Sequence, residues 1–221
     1  MSNELKKRII TSLVLFILIF FMYIYTYVLI IALIIISLIV WIEFFGLISK
    51  IFHKDNLDNK IFRFFSKGIS LIYLFCLSFL IILIFLEDND YKFFAIYSFL
   101  IAIASDIGGM VFGKFFKGKK LTKISPKKTI SGSIGAFFFS ILLIFFFNKN
   151  LSNYPLIGVL CFTVAVSFIS QIGDLFISFL KRKAKVKDTS DILPGHGGFL
   201  DRIDGIIFAL PFGIFLSNFL I

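Results

Sequence analysis

The sequence predicts an all-α, polytopic integral membrane helical bundle of about seven transmembrane helices, with the N-terminus cytoplasmic. Three observations predict it. Hydrophobic residues fill 59% of the 221 positions, 33 of them Phe, and the mean hydropathy is +0.99. A soluble domain of this size could not hide that much apolar surface. Several apolar runs approach or exceed the ~20 residues that cross a bilayer as helix. The Lys and Arg residues, finally, concentrate in alternate loops. Only helices and closed barrels satisfy their backbones in lipid, and long runs without dyad alternation select helices.

Seven apolar segments follow in order: 9–25, 27–48, 69–86, 93–112, 130–147, 155–180 and 203–221. The first comes after Lys6, Lys7 and Arg8, as a secretory signal would, but no small-residue cleavage pattern follows. It reads as an uncleaved anchor. The break at 25–27 is the weakest boundary. The N-terminal tail holds three Lys/Arg, loop 49–68 five, loop 113–129 seven and segment 181–202 six. The positive-inside rule places these four regions in the cytoplasm and the acidic 87–90 loop outside. The whole is read as one domain, 1–221, of the inner membrane, with its site facing the cytoplasm. Cys76 and Cys161 lie in apolar runs and read as small buried hydrophobes rather than a disulfide or metal pair. A net charge of +10 favours anionic partners. Topology and acidic headgroups account for much of it. No nucleic acid is expected, because the basic loops lack interleaved aromatics.

The polar residues concentrate where chemistry is expected. Gln171, Asp174, Ser178 and Lys181 share one helical stripe. An acid this deep in a spanning helix must face a cavity, a partner or a cation. An ion pair with Lys181 or a base on another helix is the structural alternative. Asp201 and Asp204, at i and i+3, stand near the positive end of the last helix. Together with Asp174 they suit Mg²⁺, which prefers oxygen ligands and keeps room for phosphates. Between these helices runs Leu193-Pro194-Gly195-His196-Gly197-Gly198. Its glycines permit close backbone approach and an anion nest, and His196 is a candidate proton donor. Upstream, Ser125-Pro126 reads as an N-cap followed by proline at the first helical position. Lys127, Lys128 and Thr129 would then occupy a first turn that attracts phosphate, with Ser131 beside them. Asp106 is a further deep acid that either lines a polar cavity or pairs with a lysine. Glu43 lies near its helix end, where simple snorkelling would explain it.

The signature Ser178-x-x-Lys181-Arg182, Lys187-Asp188, Ser190, Leu193-Pro194, His196-Gly197-Gly198 and Asp201-Arg202-x-Asp204 resembles that of the phosphatidate cytidylyltransferases (CDP-diacylglycerol synthases). Gln171-x-Gly173-Asp174-Leu175 matches the adjoining helix. Ser125-Pro126-Lys127-Lys128-Thr129, then Asp106-x-Gly108 with Gly113, then Trp41-x-Glu43 resemble further, progressively weaker motifs. Ser131 stands where that family often has Glu, and Gly109-Met110 where it often has Ala-Tyr.

The resemblance implies transfer of the cytidylyl group of CTP to phosphatidate, giving CDP-diacylglycerol and pyrophosphate. Mg²⁺ would be required, with room for a second cation. It implies Asp174 and Asp201 as metal ligands, with Asp204 next. Ser125, Lys127, Lys128 and Thr129 would hold CTP phosphates. Ser178, Lys181, Arg182, Lys187 and Arg202 would hold the phosphatidate headgroup or pyrophosphate, and His196 with Gly197 and Gly198 would close the site. Lys128 and His196 join the three acids as catalytic candidates. The partners implied are CTP, phosphatidate and the lipid bilayer, and a homodimer is open. The alternatives are a CTP-dependent lipid kinase and, in another class, a membrane transporter with buried acids.

Overall fold

The computed structural model describes residues 3–53, 56–86, 90–122, 125 and 128–220, with side chains from residue 5 onward. Among the described residues the structure is helical, with two isolated antiparallel bridges, Lys120 to Thr129 and Leu193 to Gly197. The chain forms two compact units, residues 1–88 with 180–203, and residues 89–179 with 204–221.

The first unit contains α1 (Asn3–Ile24), α2 (Thr26–Ile51), α3 (Leu57–Leu86) and the short α8 (Leu200–Ile203). The boundary expected at 25–27 is a single extended residue, Tyr25, at φ −114° and ψ 110°. Loop 49–68 was expected to carry five bases between spans. Much of it is helix instead, because α2 continues to Ile51 and α3 already starts at Leu57. The 57–67 stretch contains neither Pro nor Gly, and Asp58 stabilises the first turn of α3 against the helix dipole. Lys60, Arg63 and Lys67 therefore ride on α3. The Lys67 carbonyl accepts from the Trp41 indole at 3.1 Å, and its ammonium sits 3.3 Å from the Phe45 ring centroid, a cation–π contact. Ser37 and Ser78 join α2 to α3 at 2.7 Å.

The second unit contains α4 (Asp90–Phe116), α5 (Ile130–Phe146), α6 (Asn148–Leu151) and α9 (Ile206–Ser217). The long α7 (Leu156–Lys183) supplies residues to both units. Phe94, Tyr97, Ile101, Phe162, Val166 and Ala209 form the core. Small polar residues knit the helices where apolar attraction between them would be weak in lipid. Tyr97 meets Thr163 at 3.0 Å, and Ser167 donates to Ser105 at 3.1 Å. Gly108 allows a close approach between helices. A Cβ on Gly135 would lie 2.8 Å from the Gly108 carbonyl and collide with Phe112, so α4 and α5 touch backbone to backbone.

Helix length divides the seven expected spans into long and short. Among the described residues five helices are long and apolar enough to cross a membrane: Leu5–Ile24, Thr26–Ile51, Leu57–Leu86, Asp90–Phe116 and Leu156–Lys183. α5 has 17 residues and α9 has 12, the latter only ~18 Å at 1.5 Å per residue. The predicted segment 203–221 is divided at Asp204-Gly205, where the Asp204 carboxylate accepts the Gly205 N–H at 3.0 Å. Gly205 is required there, since a Cβ would meet the Ser170 hydroxyl at 2.5 Å. Cys76 and Cys161 are free but exposed on the helix surfaces, not buried as expected. Of the predicted 87–90 loop, residues 87–89 lie outside the described residues, and Asp90 opens α4.

Alanine at Gly135 should overpack the α4–α5 seam and cost about 1–3 kcal/mol. Alanine at Gly46, which has nothing within 4 Å, should not destabilise. Thermal unfolding of the two variants in detergent checks this, and equal midpoints would refute the backbone contact.

Candidate active site

The middle of the signature, residues 181–202, folds into a polar cluster in the first unit. α7 ends in a left-handed residue, Lys185 at φ 57°. The Val186 N–H donates to the Lys181 carbonyl and the Lys185 N–H to the Arg182 carbonyl, a Schellman closure. The chain then runs to Leu193-Pro194-Gly195-His196, a turn with the His196 N–H on the Leu193 carbonyl at 2.9 Å. Gly195 at φ 77° occupies the position that a type II turn reserves for glycine. Gly197 is left-handed too, at φ 82°.

Asp201 is the centre of this cluster, with its side chain only 4% exposed. Its Oδ1 accepts from the Lys181 ammonium at 2.6 Å. Its Oδ2 accepts the Thr189 N–H at 2.8 Å, the Thr189 hydroxyl at 3.0 Å and the Gly198 N–H at 3.1 Å. Reaching back three residues to Gly198, it acts as the acid of a capping box does. Burial pushes its carboxyl up, but the Lys181 and Thr189 hydrogen bonds, the Lys181 charge and the Gly198 N–H outweigh burial and hold it below the ordinary carboxylate value.

Glu43, thought to snorkel, is instead 3% exposed. Its carboxylate accepts from the Thr189 hydroxyl at 2.9 Å, the Ser190 hydroxyl at 2.5 Å, the Phe199 N–H at 3.0 Å and the Leu200 N–H at 2.8 Å. The last two are free donors at the start of α8. Thus α2 clamps the signature loop onto α8. Gly198 leaves room for this, since a Cβ there would meet Glu43 Oε2 at 2.6 Å. Sequence reasoning missed Glu43 and Thr189. Trp41-x-Glu43 was the available signal.

The anion nest expected at the glycine turn is corrected, because its N–H groups are spent internally. Those of His196 and Gly197 go to the Leu193 carbonyl, and that of Gly198 goes to Asp201. The His196 ring faces α1, with Nε2 3.3 Å from the Ser12 hydroxyl. Arg202 holds the His196 carbonyl with Nε at 3.1 Å and Nη2 at 2.6 Å. Burial, and then the charges of Arg202 and Arg8, lower the imidazole below its ordinary 6.5. The Pro194 carbonyl opposes this, although Nδ1 has no partner of good hydrogen-bond geometry. His196 is therefore neutral at pH 7. Arg182 and Lys187 are exposed.

In the second unit Asp174 is ion-paired with Lys128, their side chains about one-quarter exposed. The Ser178 hydroxyl donates to Asp174 at 3.3 Å. Of the predicted stripe, Gln171 accepts from Ser133 at 2.6 Å. The predicted start of α5 is corrected. Thr129, not Ser125, is the N-cap, extended at φ −118° and ψ 157° with its hydroxyl accepting the Gly132 N–H at 3.0 Å. Helix cannot begin earlier, because the Leu121 and Ile130 N–H groups pair with the Lys128 and Lys119 carbonyls across the loop. The Lys128 N–H donates to the Ser125 carbonyl at 3.0 Å, which places both in a turn. Lys127, with Pro126, lies outside the described residues. Ser131 lies 3.0 Å from the Thr129 hydroxyl and accepts the Gly118 N–H. Asp204 is buried on Gly205, and Asp106 is exposed on α4.

Among the described residues no three His, Cys, Asp or Glu side chains gather as a metal site. Carboxylate oxygens are the donor type that a hard cation takes. Asp174 and Asp201 are oxygen donors that each already neutralise one ammonium.

A family model described as "Cytidylyltransferase family" matches residues 4–220. A relative from Staphylococcus aureus (strain COL), named phosphatidate cytidylyltransferase, is 43% identical over 123 residues, 53% of this chain and 46% of its own length. One of the same name from Rickettsia felis is 41% identical over 140 residues, 60% of this chain and 61% of its own. A third, from Staphylococcus haemolyticus, is 41% identical over 128 residues. The chain spans about half the length of the curated relatives it matches.

Two outcomes follow. Glu43→Ala strands two buried N–H groups at about 1–3 kcal/mol each, so trypsin should cut the 181–187 stretch of the variant much faster than that of the parent. Unchanged cleavage would remove Glu43 from the clamp. Because the fold holds His196 neutral, unfolding takes up a proton as pH drops below 6.5. Stability should therefore fall from about pH 6.5 downward, through the lowered His196 pKa. Melting midpoints should show this decline flattened in His196→Gln, and an identical decline in both proteins would refute it.

Proposed function

The chain belongs to the cytidylyltransferase family, and we propose that it transfers the cytidylyl group of CTP to phosphatidate. The observation that carries this reading is the pairing of two signature acids with two motif lysines, Asp201 with Lys181 and Asp174 with Lys128. Such pairs hold acids and bases ready for a cation and a polyphosphate.

An ionised phosphatidate oxygen attacks the α-phosphorus of CTP, the bond to the β-phosphate bridging oxygen breaks, and pyrophosphate leaves. The nucleophile is already anionic, so no strong general base is needed. The barrier is charge repulsion and alignment. Lys128, Lys127, Thr129 and Ser125 are assigned to the CTP phosphates. Lys181, Ser178, Arg182, Lys187 and Arg202 are assigned to the lipid phosphate or the departing pyrophosphate. His196, neutral at pH 7, can donate one hydrogen bond to a phosphate oxygen without bringing a charge, while Gly197 and Gly198 shape the loop behind it. Asp174, Asp201 and Asp204 are assigned to Mg²⁺, with a second cation allowed; bound there, it would neutralise the triphosphate and favour in-line displacement. The basic segments support a reading in which these groups, and the N-terminus, face the cytoplasmic side of the inner membrane. The five long helices and the two shorter ones, α5 and α9, would make up the membrane bundle.

Purified protein should convert CTP and phosphatidate to a lipid carrying the α-phosphate label of CTP, in a Mg²⁺-dependent way. Asp174→Asn should lower kcat by about 10³-fold while the protein stays folded. Transfer of γ-label alone would identify a lipid kinase. Ion flux into liposomes without CTP turnover would identify a transporter.

A further inference from the structure

α1 does more than anchor the chain. Its residues Arg8, Ile9, Ser12, Leu13 and Phe16 line an open groove of about 500 Å³. Arg8, Ser12 and Phe16 are spaced four apart and so stand in file along the helix. From Arg8 to Phe16 the rise is ~12 Å. The groove therefore has a cationic, hydroxyl-bearing end and an apolar end. Ile9, Leu13 and Phe16 are 50%, 58% and 71% exposed.

A distant part of the sequence packs beside the polar end. The Thr11 hydroxyl donates to the Pro194 carbonyl at 3.0 Å, fixing the signature turn against α1. Ser12 lies beside His196 Nε2, and Arg202 is tied to the same residue's carbonyl. Arg8 and Arg202 both act electrostatically on the imidazole, so His196 sits in the field of two guanidinium groups. A guanidinium and a hydroxyl beside a neutral imidazole suit a phosphate. The apolar file below suits a hydrocarbon chain at the same depth.

We propose that this groove binds an anionic phospholipid, Arg8 and Ser12 gripping the phosphate and Ile9, Leu13 and Phe16 one acyl chain. Given the function proposed above, the occupant is phosphatidate, and α1 supplies part of its site. A free phosphate would engage only the upper end, so the use of both ends distinguishes the two sources.

The test uses the full chain in nanodiscs. Trp41 is the only tryptophan, so Phe16→Trp in a Trp41→Phe background gives a single reporter in the groove. Brominated-acyl phosphatidate should quench it at about fivefold lower mole fraction than brominated phosphatidylcholine, the effect of roughly one well-placed cation. Adding Arg8→Gln should abolish that preference, Arg8→Lys should keep most of it, and millimolar inorganic phosphate should leave it intact. Equal quenching by both lipids, or a preference that survives Arg8→Gln, would overturn the proposal. So would a preference erased by inorganic phosphate. CTP turnover on the same nanodiscs separates the two readings. Turnover without lipid preference sinks the groove alone, and preference without turnover sinks the proposed transfer while the groove stands.

Discussion

The structure of the first unit depends on satisfying two carboxyl groups where little water reaches them. Asp201 and Glu43 are both nearly inaccessible, and a buried charge without partners costs several kcal/mol. Each is satisfied differently. Asp201 holds a lysine and three donors; Glu43 holds hydroxyls and free helix N–H groups and no lysine. Thr189 bonds to both, so one hydroxyl couples the two acids. Loss of either acid would be felt by the other.

This arrangement explains why the signature tolerates so little space. Glycine at 198 lets Glu43 and Thr189 approach, and left-handed glycines at 195 and 197 turn the chain tightly enough to present His196 to α1. The second unit uses the same device in an apolar setting. Glycines at 108, 135 and 205 leave room for close helix contacts, and Ser167 donates to Ser105. In both units, side chains are omitted wherever a hydrogen bond or a backbone contact needs the room.

The helical, membrane-spanning character was legible because apolar length and Lys/Arg placement report directly on the bilayer. Helix ends were less legible. The Ser125-Pro126 pair has the composition of an N-cap, but the pairing of residues 119–121 with 128–130 decides where α5 begins, and such pairing leaves no local trace. The need for glycine at 205 was hidden for a similar reason, since it comes from Ser170 more than thirty residues earlier. Asp174 and Asp201 stood out because acids are rare in such a chain. Glu43 carried the same signal but sat near a helix end, where an innocuous explanation was at hand. Its partners, at 189–200, are recognisable only in three dimensions.

That separation along the chain has a consequence for biogenesis. Glu43 belongs to the second helix made, while the N–H group of Leu200 that it accepts is synthesised 157 residues later. At ordinary elongation rates the ribosome takes roughly 8–30 s to cover that distance. Throughout that interval α2 bears a carboxyl group with none of the donors at 189–200 that later hold it. The clamp on α2 can close only once residue 200 has been made, so locking this unit is a late step in its folding.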